Sequence, residues 1–327
     1  MILARAPYRI PLAGGGTDID FYYKKKGGLL ISAALNQYVY TIFKKRDLDN
    51  KVLVQTTTTE FENSIHKIKH KIIREVFKYF KISQSFQIST FSTIPTQSGL
   101  GSSSSLVVSL IKNICRYKKI KLSNKKIVKI AYHIERKILK NDGGWQDQIV
   151  STYGGLIKIK INKNGEFNIT NLKIKKHIKK KIERNLILVF TNEVRKSADI
   201  ITSQRRSKKK SNQIYIYDEL KKKVTEIEKA LINGNIKMIG ETFDDHWKLK
   251  KKLSKKISNS ILDKIYLKMM KTDLFYGGKI IGAGGGGFFL MALKKKKAEV
   301  KSFLSKNKFN FINLEIDNKG ACFLTNI

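Results

Sequence analysis

Three charged side chains, Asp147, Glu135 and Arg9, have sequence surroundings that suggest chemistry. Asp147 follows two glycines in "GGWQDQ" and lies between Gln146 and Gln148, so we expect the two amide side chains to hold its carboxylate in place. A positioned carboxylate can accept the proton of a substrate hydroxyl. Aspartate also forms Asx turns at helix ends, and this alternative stays open on these residues alone.

Glu135 flanks the apolar stripe of a predicted helix that begins near Ser123 or Asn124. A carboxylate on a partly buried helix face needs a partner. A Mg²⁺ ion held by one or two carboxylates and by substrate phosphates would supply one. An ion pair with a lysine would supply another.

Glycine-rich runs occur at three distant places, residues 14–16, 99–105 and 282–287, each beside a predicted strand. Glycine lets a backbone approach a ligand closely, so the three runs predict one shared site, although three unrelated turns would also explain them. The run 99–105, "GLGSSSS", precedes an apolar, helix-like segment. Backbone N–H groups and the positive end of such a helix bind phosphate without a charged side chain. The lysine of a Walker P-loop is absent here.

Basic residues near the first glycine run predict contact with an anion. Arg5 and Arg9 lie four residues apart in a strand-like segment, so their side chains are expected on one face. Thr17 and Asp18 follow in the glycine loop, and together these residues suit an anionic, hydroxylated substrate.

A second basic segment, "RKSAD" at 195–199, places Arg195 and Ser197 at a predicted helix start. Charge and helix dipole together favour a phosphate at such a place. A solvated basic turn is the alternative in so lysine-rich a chain.

The elements that must position these residues follow from hydrophobic periodicity. Helical spacing is expected before a strand at 85–94, after the loop at 99–105, and across a lysine-rich stretch at about 197–275. Asn164-Gly165 predicts the turn of a hairpin. The predicted strands lie in 1–45, as three strand-like runs, at 85–94, at 185–191 and around the last glycine run. This order predicts an α+β protein with two lobes and a boundary near 165–185.

Composition limits the class of partner. The chain has 327 residues, with 66 Lys+Arg against 26 Asp+Glu, which gives a net charge of +40. Such a balance suits nucleic acid, an anionic membrane or small anionic substrates. Nucleic-acid readers use clustered arginines and aromatics, whereas the lysines here are spread along the whole chain, so we expect no nucleic-acid partner. No apolar run approaches ~18 residues and no signal peptide is evident, which predicts a soluble, cytoplasmic protein without a membrane partner.

Three segments together resemble a known family. "RAPYRIPLAGGGTD", "PTQSGLGSSSS" and "KIIGAGGGGFFLM", in this order, are similar to the three motifs of the GHMP small-molecule kinases. The "LAGGGTD" form resembles the bacterial heptose 7-phosphate kinases, and "GGWQDQ" also resembles L-fucose kinases of the same branch. The resemblance implies a two-lobed α+β GHMP kinase fold, with a ribosomal-S5-like N-terminal domain at 1–175 and a ferredoxin-like C-terminal domain at 176–327.

The resemblance also implies ATP and Mg²⁺ and a role for each matching residue. Asp147 matches the acid beside the acceptor hydroxyl, and Arg9 matches a basic residue near the transferring phosphoryl group. Ser103 and Glu135 match the residues that hold Mg²⁺. The implied ATP contacts are Pro95, Gly99, Leu100, Gly101, Ser102, Ser103 and Ser104. The implied or suggested acceptor contacts are Arg5, Gly16, Thr17, Asp18, Arg195, Ser197, Gly285 and Gly286. Ser104 and Ser105 depart from the alanines that many members carry.

The function implied by the resemblance is phosphorylation of the anomeric hydroxyl of D-glycero-D-manno-heptose 7-phosphate. The product, a 1,7-bisphosphate, would feed nucleotide-heptose and surface-polysaccharide synthesis, with Arg5 and the turn at 195–197 as candidates for the 7-phosphate. An L-fucose or other free-sugar 1-kinase is an alternative, suggested by Trp145. A sugar sensor without turnover is another. A monomer or homodimer is expected in each case.

Overall fold

Two β-sheets organise the computed structural model, which describes residues 1–193, 200 and 210–326. The first sheet has the order β12-β1-β2-β5-β3-β4, with β6 paired to β2 and β7 paired to β6. Its strands are β1 (Ile2–Ala13), β2 (Gly28–Lys45), β3 (Val52–Gln55), β4 (Thr59–Glu62), β5 (Phe86–Ser92), β6 (Leu156–Ile161), β7 (Phe167–Asn171) and β12 (Cys322–Asn326). β3 and β5 are parallel, and the other pairs of this sheet are antiparallel.

The predicted pairing of strands in residues 1–45 is confirmed, but the number of strands was wrong. The segment 28–45 forms one 18-residue strand, β2, and not two. Its pairing with β1 shifts register between Pro7 and Tyr8, because β1 pairs Pro7 with Tyr38 and then Tyr8 with Leu35. Such an irregularity bends a strand without ending it. A short helix, α1 (Asp20–Lys26), which the pattern did not predict, follows the first glycine run.

Helices α2 (Lys71–Tyr79), α3 (Ser102–Tyr117), α4 (Asn124–His133) and α5 (Gln146–Tyr153) belong to the lobe of the first sheet. α3 packs on β1, β2 and α5, with apolar side chains such as Val107 and Ile111 fully buried. The predicted cap of α4 is confirmed, because the Ser123 side chain accepts the Lys126 N–H at 3.3 Å. After α4 the chain widens into a π-helical turn, Ile134–Ile138, which carries Glu135.

The second sheet is antiparallel with the order β11-β8-β10-β9. Its strands are β8 (Leu186–Phe190), β9 (Phe275–Ile280), β10 (Phe288–Leu293) and β11 (Phe311–Asn313). The helices of this part are α6 (Lys176–Asn185), α7 (Lys210–Asn233), α8 (Ile236–Lys251), α9 (Ser260–Met270) and α10 (Lys297–Lys306). α8 packs on β9, on β10 and on β1 of the first sheet. One hydrophobic cluster therefore runs from Ile10 of β1 through Phe243 of α8 to Leu290 of β10.

The local predictions for the second half are largely confirmed. The hairpin at Asn164-Gly165 is formed by β6 and β7, and the buried strand at 185–191 is β8. The division at 175/176 stays a prediction, and β12, from the end of the chain, pairs with β1 in the first sheet. Among the described residues, no helix is both long and apolar enough for a membrane span.

Candidate active site

A cavity of about 380 Å³ lies where the two sheets and their loops meet. Residues from all three glycine-rich runs line it, which agrees with the expectation of one shared site. Its wall continues along the loop 141–144, the start of α5 and the facing side of α8. Its lining residues include Arg9, Gly16, Asp18, Gly99, Gly101, Ser102, Ser103, Ser104, Glu135, Arg136, Asp147, Tyr217, His246, Lys250, Lys279 and Gly282.

The loop at 99–105 forms one end of the cavity, which we call the phosphate-loop end. Gly101 has a φ of 82° and directly precedes the first turn of α3. The first N–H groups of a helix have no partner within it, so they are available to an anion. A side chain at Gly101 would lie 3.3 Å from Asp147 Oδ2, so the loop backbone and the catalytic candidate are neighbours.

The last glycine run packs directly on this loop. A Cβ at Gly282 would lie 2.7 Å from the carbonyl oxygen of Gly99, and a Cβ at Gly287 would lie 2.1 Å from that of Ser98. Both glycines also have positive φ values, 72° and 91°. Side chains larger than hydrogen would therefore separate the two loops.

Asp147 and Arg9 form a two-point ion pair. Arg9 Nε donates to Asp147 Oδ1 at 2.6 Å and its Nη2 donates to Oδ2 at 2.9 Å, while Nη1 donates to the Gly99 carbonyl. The predicted support from Gln146 and Gln148 was wrong, because neighbouring residues of a helix point in different directions. The guanidinium, which reaches Asp147 from β1, provides that support instead.

Glu135 is almost fully buried and is surrounded by donors. Its carboxylate accepts from Ser103 Oγ at 2.6 Å, from Ser104 Oγ at 2.6 Å and from Gln148 Nε2. The π-helical turn that carries it is a deviation often found at functional sites. The Ser103 hydroxyl and the Glu135 carboxylate are adjacent oxygen ligands of the kind Mg²⁺ prefers, so this pair fits the ion that the resemblance implies. Ser104, one of the departures from alanine, helps to hold the carboxylate.

Asp18 is a buried carboxylate near Asp147. It is 5% exposed and accepts the Gln146 backbone N–H at 3.0 Å. Burial raises the pKa of Asp18 above its usual range, and the nearby Asp147 carboxylate adds to the rise. Thr17 does not line the cavity, since its hydroxyl donates to the carbonyls of Gly14 and Leu29.

Several sequence-predicted contacts lie away from the cavity. Arg5 stacks on the Tyr38 ring at 3.9 Å and lies 4.0 Å from Asp317, so it does not join Arg9. Four residues of strand span about 13 Å, which separates the two side chains. The described lining residues do not include Pro95, Leu100, Gly285 or Gly286. Arg195 and Ser197 lie outside the described residues.

Sequence reasoning missed Arg136 in the first half and, apart from the last glycine run, the residues that the second half contributes. Tyr217 of α7 packs against Gly16, and Arg136 donates to the Gly144 carbonyl at 3.3 Å. His246, Lys250 and Lys279, which we call the buried basic cluster, line the cavity from α8 and β9. The only sequence signal for them is a lysine at position 279 inside an apolar strand.

Burial dominates the electrostatics of the buried basic cluster. It lowers the pKa of Lys250 to about 8, with Arg9 adding to the fall and Asp18 opposing it. Burial also lowers the pKa of Lys279 well below its usual range, and the neighbouring Lys250 lowers it further. His246 is shifted the same way by burial and by the two lysines, so its pKa favours the neutral imidazole.

Comparison with known proteins agrees with the motifs. The family model "GHMP kinases N terminal domain" matches residues 33–155. The chain is 30% identical over 298 residues to the D-glycero-alpha-D-manno-heptose 7-phosphate kinase of Campylobacter jejuni, covering 86% of each protein. A solved putative sugar kinase from Campylobacter jejuni superposes with a TM-score of 0.77 at 29% identity, over 99% of this chain and 98% of that one.

A further solved structure supports the fold. The D-glycero-D-manno-heptose 1-phosphate kinase from Bacteriodes thetaiotaomicron superposes with a TM-score of 0.82 at 23% identity, over 100% of both chains. The predicted two-lobed α+β architecture is therefore confirmed. The Campylobacter jejuni relative, matched over 86% of each protein, and the family model show that the chain belongs to the GHMP kinase family and is an ATP-dependent sugar kinase.

Proposed function

We propose that this kinase transfers the γ-phosphate of ATP to the anomeric hydroxyl of D-glycero-D-manno-heptose 7-phosphate. The product would be the 1,7-bisphosphate, a precursor of nucleotide-activated heptose for surface polysaccharide. The Campylobacter jejuni relative that carries this substrate in its name supports the proposal. The observation that carries it is the Asp147–Arg9 pair, which lies against the phosphate loop at Gly101 and beside Asp18.

In the proposed reaction, the anomeric oxygen bonds to the γ-phosphorus while the bond between that phosphorus and the β–γ bridging oxygen breaks. The hydroxyl proton passes to Asp147 and then to solvent, and ADP leaves. Arg9 fixes the orientation of Asp147 and brings a positive charge to the reacting end of the phosphate loop. Phosphoryl transfer depends mainly on positioning and charge neutralisation, so backbone amides, one cation and one acid are a sufficient protein contribution. Asp18 is assigned to a sugar hydroxyl.

Mg²⁺ enters this proposal with the donor, as Mg·ATP. Ser103 and Glu135 are the protein oxygens that would hold it, and the bound ion would neutralise phosphate charge. Ser104 and Gln148 orient the Glu135 carboxylate through their own hydrogen bonds.

Other expectations join the proposal unchanged. Arg195 and Ser197 stay candidates for the acceptor, although they lie outside the described residues. A monomer or homodimer in the cytoplasm is the expected form. A free-sugar kinase was suggested by Trp145, but that ring stacks on Tyr132 at 3.6 Å and does not line the cavity, so its contacts explain it as a packing residue.

The test is ADP release from Mg·ATP with heptose 7-phosphate, L-fucose, mannose or no acceptor. We expect turnover with heptose 7-phosphate alone, and loss of that turnover in Asp147→Ala. Turnover with L-fucose in preference to the heptose would replace the proposed substrate. ATP binding without turnover on any of these acceptors would reject it.

A further inference from the structure

The buried basic cluster has more positive charge than its protein partners explain. Lys250 Nζ donates to the Gly282 carbonyl, and Lys279 Nζ donates to the Leu12 carbonyl at 2.6 Å. Neither ammonium group has a carboxylate of the described residues within 4.0 Å. Lys279 is 1% exposed and Lys250 is 7% exposed. Buried ammonium groups are costly unless an anion compensates them, so the arrangement suggests that a negative ligand belongs there.

His246 gives an independent observation. The side chain is 3% exposed, and neither ring nitrogen has a hydrogen-bond partner among the described residues. Unsatisfied buried polar atoms are rare in folded proteins and need an explanation. His246 lines the same cavity as the two lysines, and it lies four residues before Lys250 on one face of α8. A ligand that accepts from an imidazole N–H and from two ammonium groups would satisfy all three.

The position of the cluster favours the acceptor side of the cavity. Lys279 is bonded to the end of β1, two residues before the glycine loop that leads to Asp18. Lys250 is close enough to Asp18 and Arg9 for both to act on it electrostatically. The donor phosphates already have the backbone N–H groups of the phosphate loop. Lys250 borders that loop through the Gly282 carbonyl, and its ammonium group is not needed to hold the loop's anion, so the cluster is available for a second phosphate.

We propose that His246, Lys250 and Lys279 bind the phosphate monoester carried by the acceptor sugar. This inference rests on the proposed function for the name of the sugar, but the recognised chemistry is a phosphate monoester on the acceptor, distinct from the phosphoryl group that is transferred. In this role the cluster replaces Arg5, whose side chain stacks on Tyr38 and does not line the cavity.

The test compares Lys279→Met, on β9, and His246→Gln, on α8, with the control Lys248→Met, which makes the same Lys-to-Met change on α8. Lys248 is solvent-exposed and paired with Asp244, so its loss should change none of the readouts. The readouts are KM for heptose 7-phosphate, KM for unphosphorylated heptose, Kd for Mg·AMPPNP and the melting temperature of the free protein.

We expect KM for heptose 7-phosphate to rise by about 10- to 100-fold in either variant, the size expected for one charged hydrogen bond. KM for unphosphorylated heptose and Kd for Mg·AMPPNP should stay within about threefold of the wild type. Lys279→Met should also melt at the same temperature as the wild type or higher, because an apolar residue replaces an uncompensated buried charge.

Three results would overturn the inference. Equal rises in KM for both sugars would mean that the cluster does not recognise the phosphate. Weaker Mg·AMPPNP binding with unchanged KM for the acceptor would assign the cluster to the donor's γ-phosphate. A lower melting temperature with unchanged KM values would make the lysine structural.

A separate measurement keeps this inference apart from the proposed function. If the wild type turns over no heptose phosphate, calorimetric binding of mannose 6-phosphate and of mannose still tests the cluster. If the wild type bound mannose 6-phosphate more tightly than mannose and Lys279→Met did not, the phosphate site would be supported although the proposed substrate was wrong. No preference in the wild type would overturn the site itself.

Discussion

At the phosphate-loop end of the cavity, the charged side chains already have side-chain hydrogen-bond partners. The lysines of the buried basic cluster have no negatively charged partner among the described residues. Glu135 accepts three hydrogen bonds, and Asp147 is held twice by Arg9. Among the described residues, Lys250 donates to a backbone carbonyl, and Lys279 donates to a backbone carbonyl and lies 5.2 Å from the Phe243 ring centroid, but neither has a carboxylate partner. The first arrangement is fixed before any ligand binds, whereas the second is completed by its ligand.

This difference follows from what each end must do. A preorganised group costs no rearrangement at the moment of reaction, which suits the end where phosphoryl transfer takes place. An uncompensated charge binds its anion strongly but destabilises the empty protein. Mutations at the phosphate-loop end should therefore change kcat and the Mg²⁺ dependence. Mutations in the buried basic cluster should change KM for the acceptor and the stability of the protein.

The largest effect is expected at the preorganised end. Asp147→Asn should lower kcat by about 100-fold or more, because it removes both the proton acceptor and the charge that orients Arg9. Kd for ATP, measured by calorimetry, should change little. A kcat close to that of the wild type would show that Asp147 contributes neither as a base nor electrostatically, and the contrast between the ends would disappear.

A smaller effect should come from the groups that hold Glu135. Ser104→Ala should weaken the apparent affinity for Mg²⁺ by about tenfold, since ligands supporting a metal site typically contribute this much. Ser105→Ala is the matched control, because that hydroxyl bonds to the Pro7 and Gly101 carbonyls and to Ser151, and not to Glu135. Magnesium titrations of initial rate check this, and an equal change in both variants would contradict a specific role for Ser104.

Acceptor binding by the buried basic cluster should depend on pH. The phosphate binds the ammonium form of Lys250. Burial lowers the pKa of this group to about 8 in the free protein, with Arg9 adding to the fall and Asp18 opposing it, and His246 and Lys279 are the other titratable groups of the cluster. Raising the pH through this value removes the proton, so KM for heptose 7-phosphate should be up to about tenfold higher at pH 9 than at pH 7. KM for unphosphorylated heptose and the KM profile of Lys250→Met should stay flat. If KM rose with pH for the unphosphorylated sugar and in Lys250→Met as well, the effect would belong to another titratable group.

The smallest effect concerns stability. Because the pKa of Lys250 falls from 10.5 to about 8 on folding, the unfolded chain binds more protons between these pH values. The free energy of unfolding should therefore rise with pH across this range, and Lys250→Met should reduce the rise by on the order of 1 kcal/mol. Urea denaturation of both proteins at pH 8 and pH 10 measures this difference. If the free energy of unfolding rose equally with pH in the wild type and in Lys250→Met, Lys250 would be charged in the free, folded protein between pH 8 and pH 10.

The sequence predicted the preorganised end better than the other. Local patterns placed α3, the α4 cap and the hairpin β6–β7, since these depend on neighbouring residues. The partner of Asp147 was missed because Arg9 is 138 positions away and no local rule connects them. The buried basic cluster was missed for a related reason. In a chain with 66 Lys+Arg, Lys250 is indistinguishable from a solvated lysine until α8 meets β9, and only Lys279, inside an apolar strand, has a sequence signal.

The pairing of β12 with β1 makes the first sheet dependent on the last part of the chain. β1 is synthesised long before β12, so the edge of β1 that pairs with Cys322–Asn326 is unpaired until that segment is available. An uncovered strand edge is a template for pairing with another chain. The nascent protein therefore has an unpaired, aggregation-prone edge on β1 until Cys322–Asn326 has been synthesised and can pair with it.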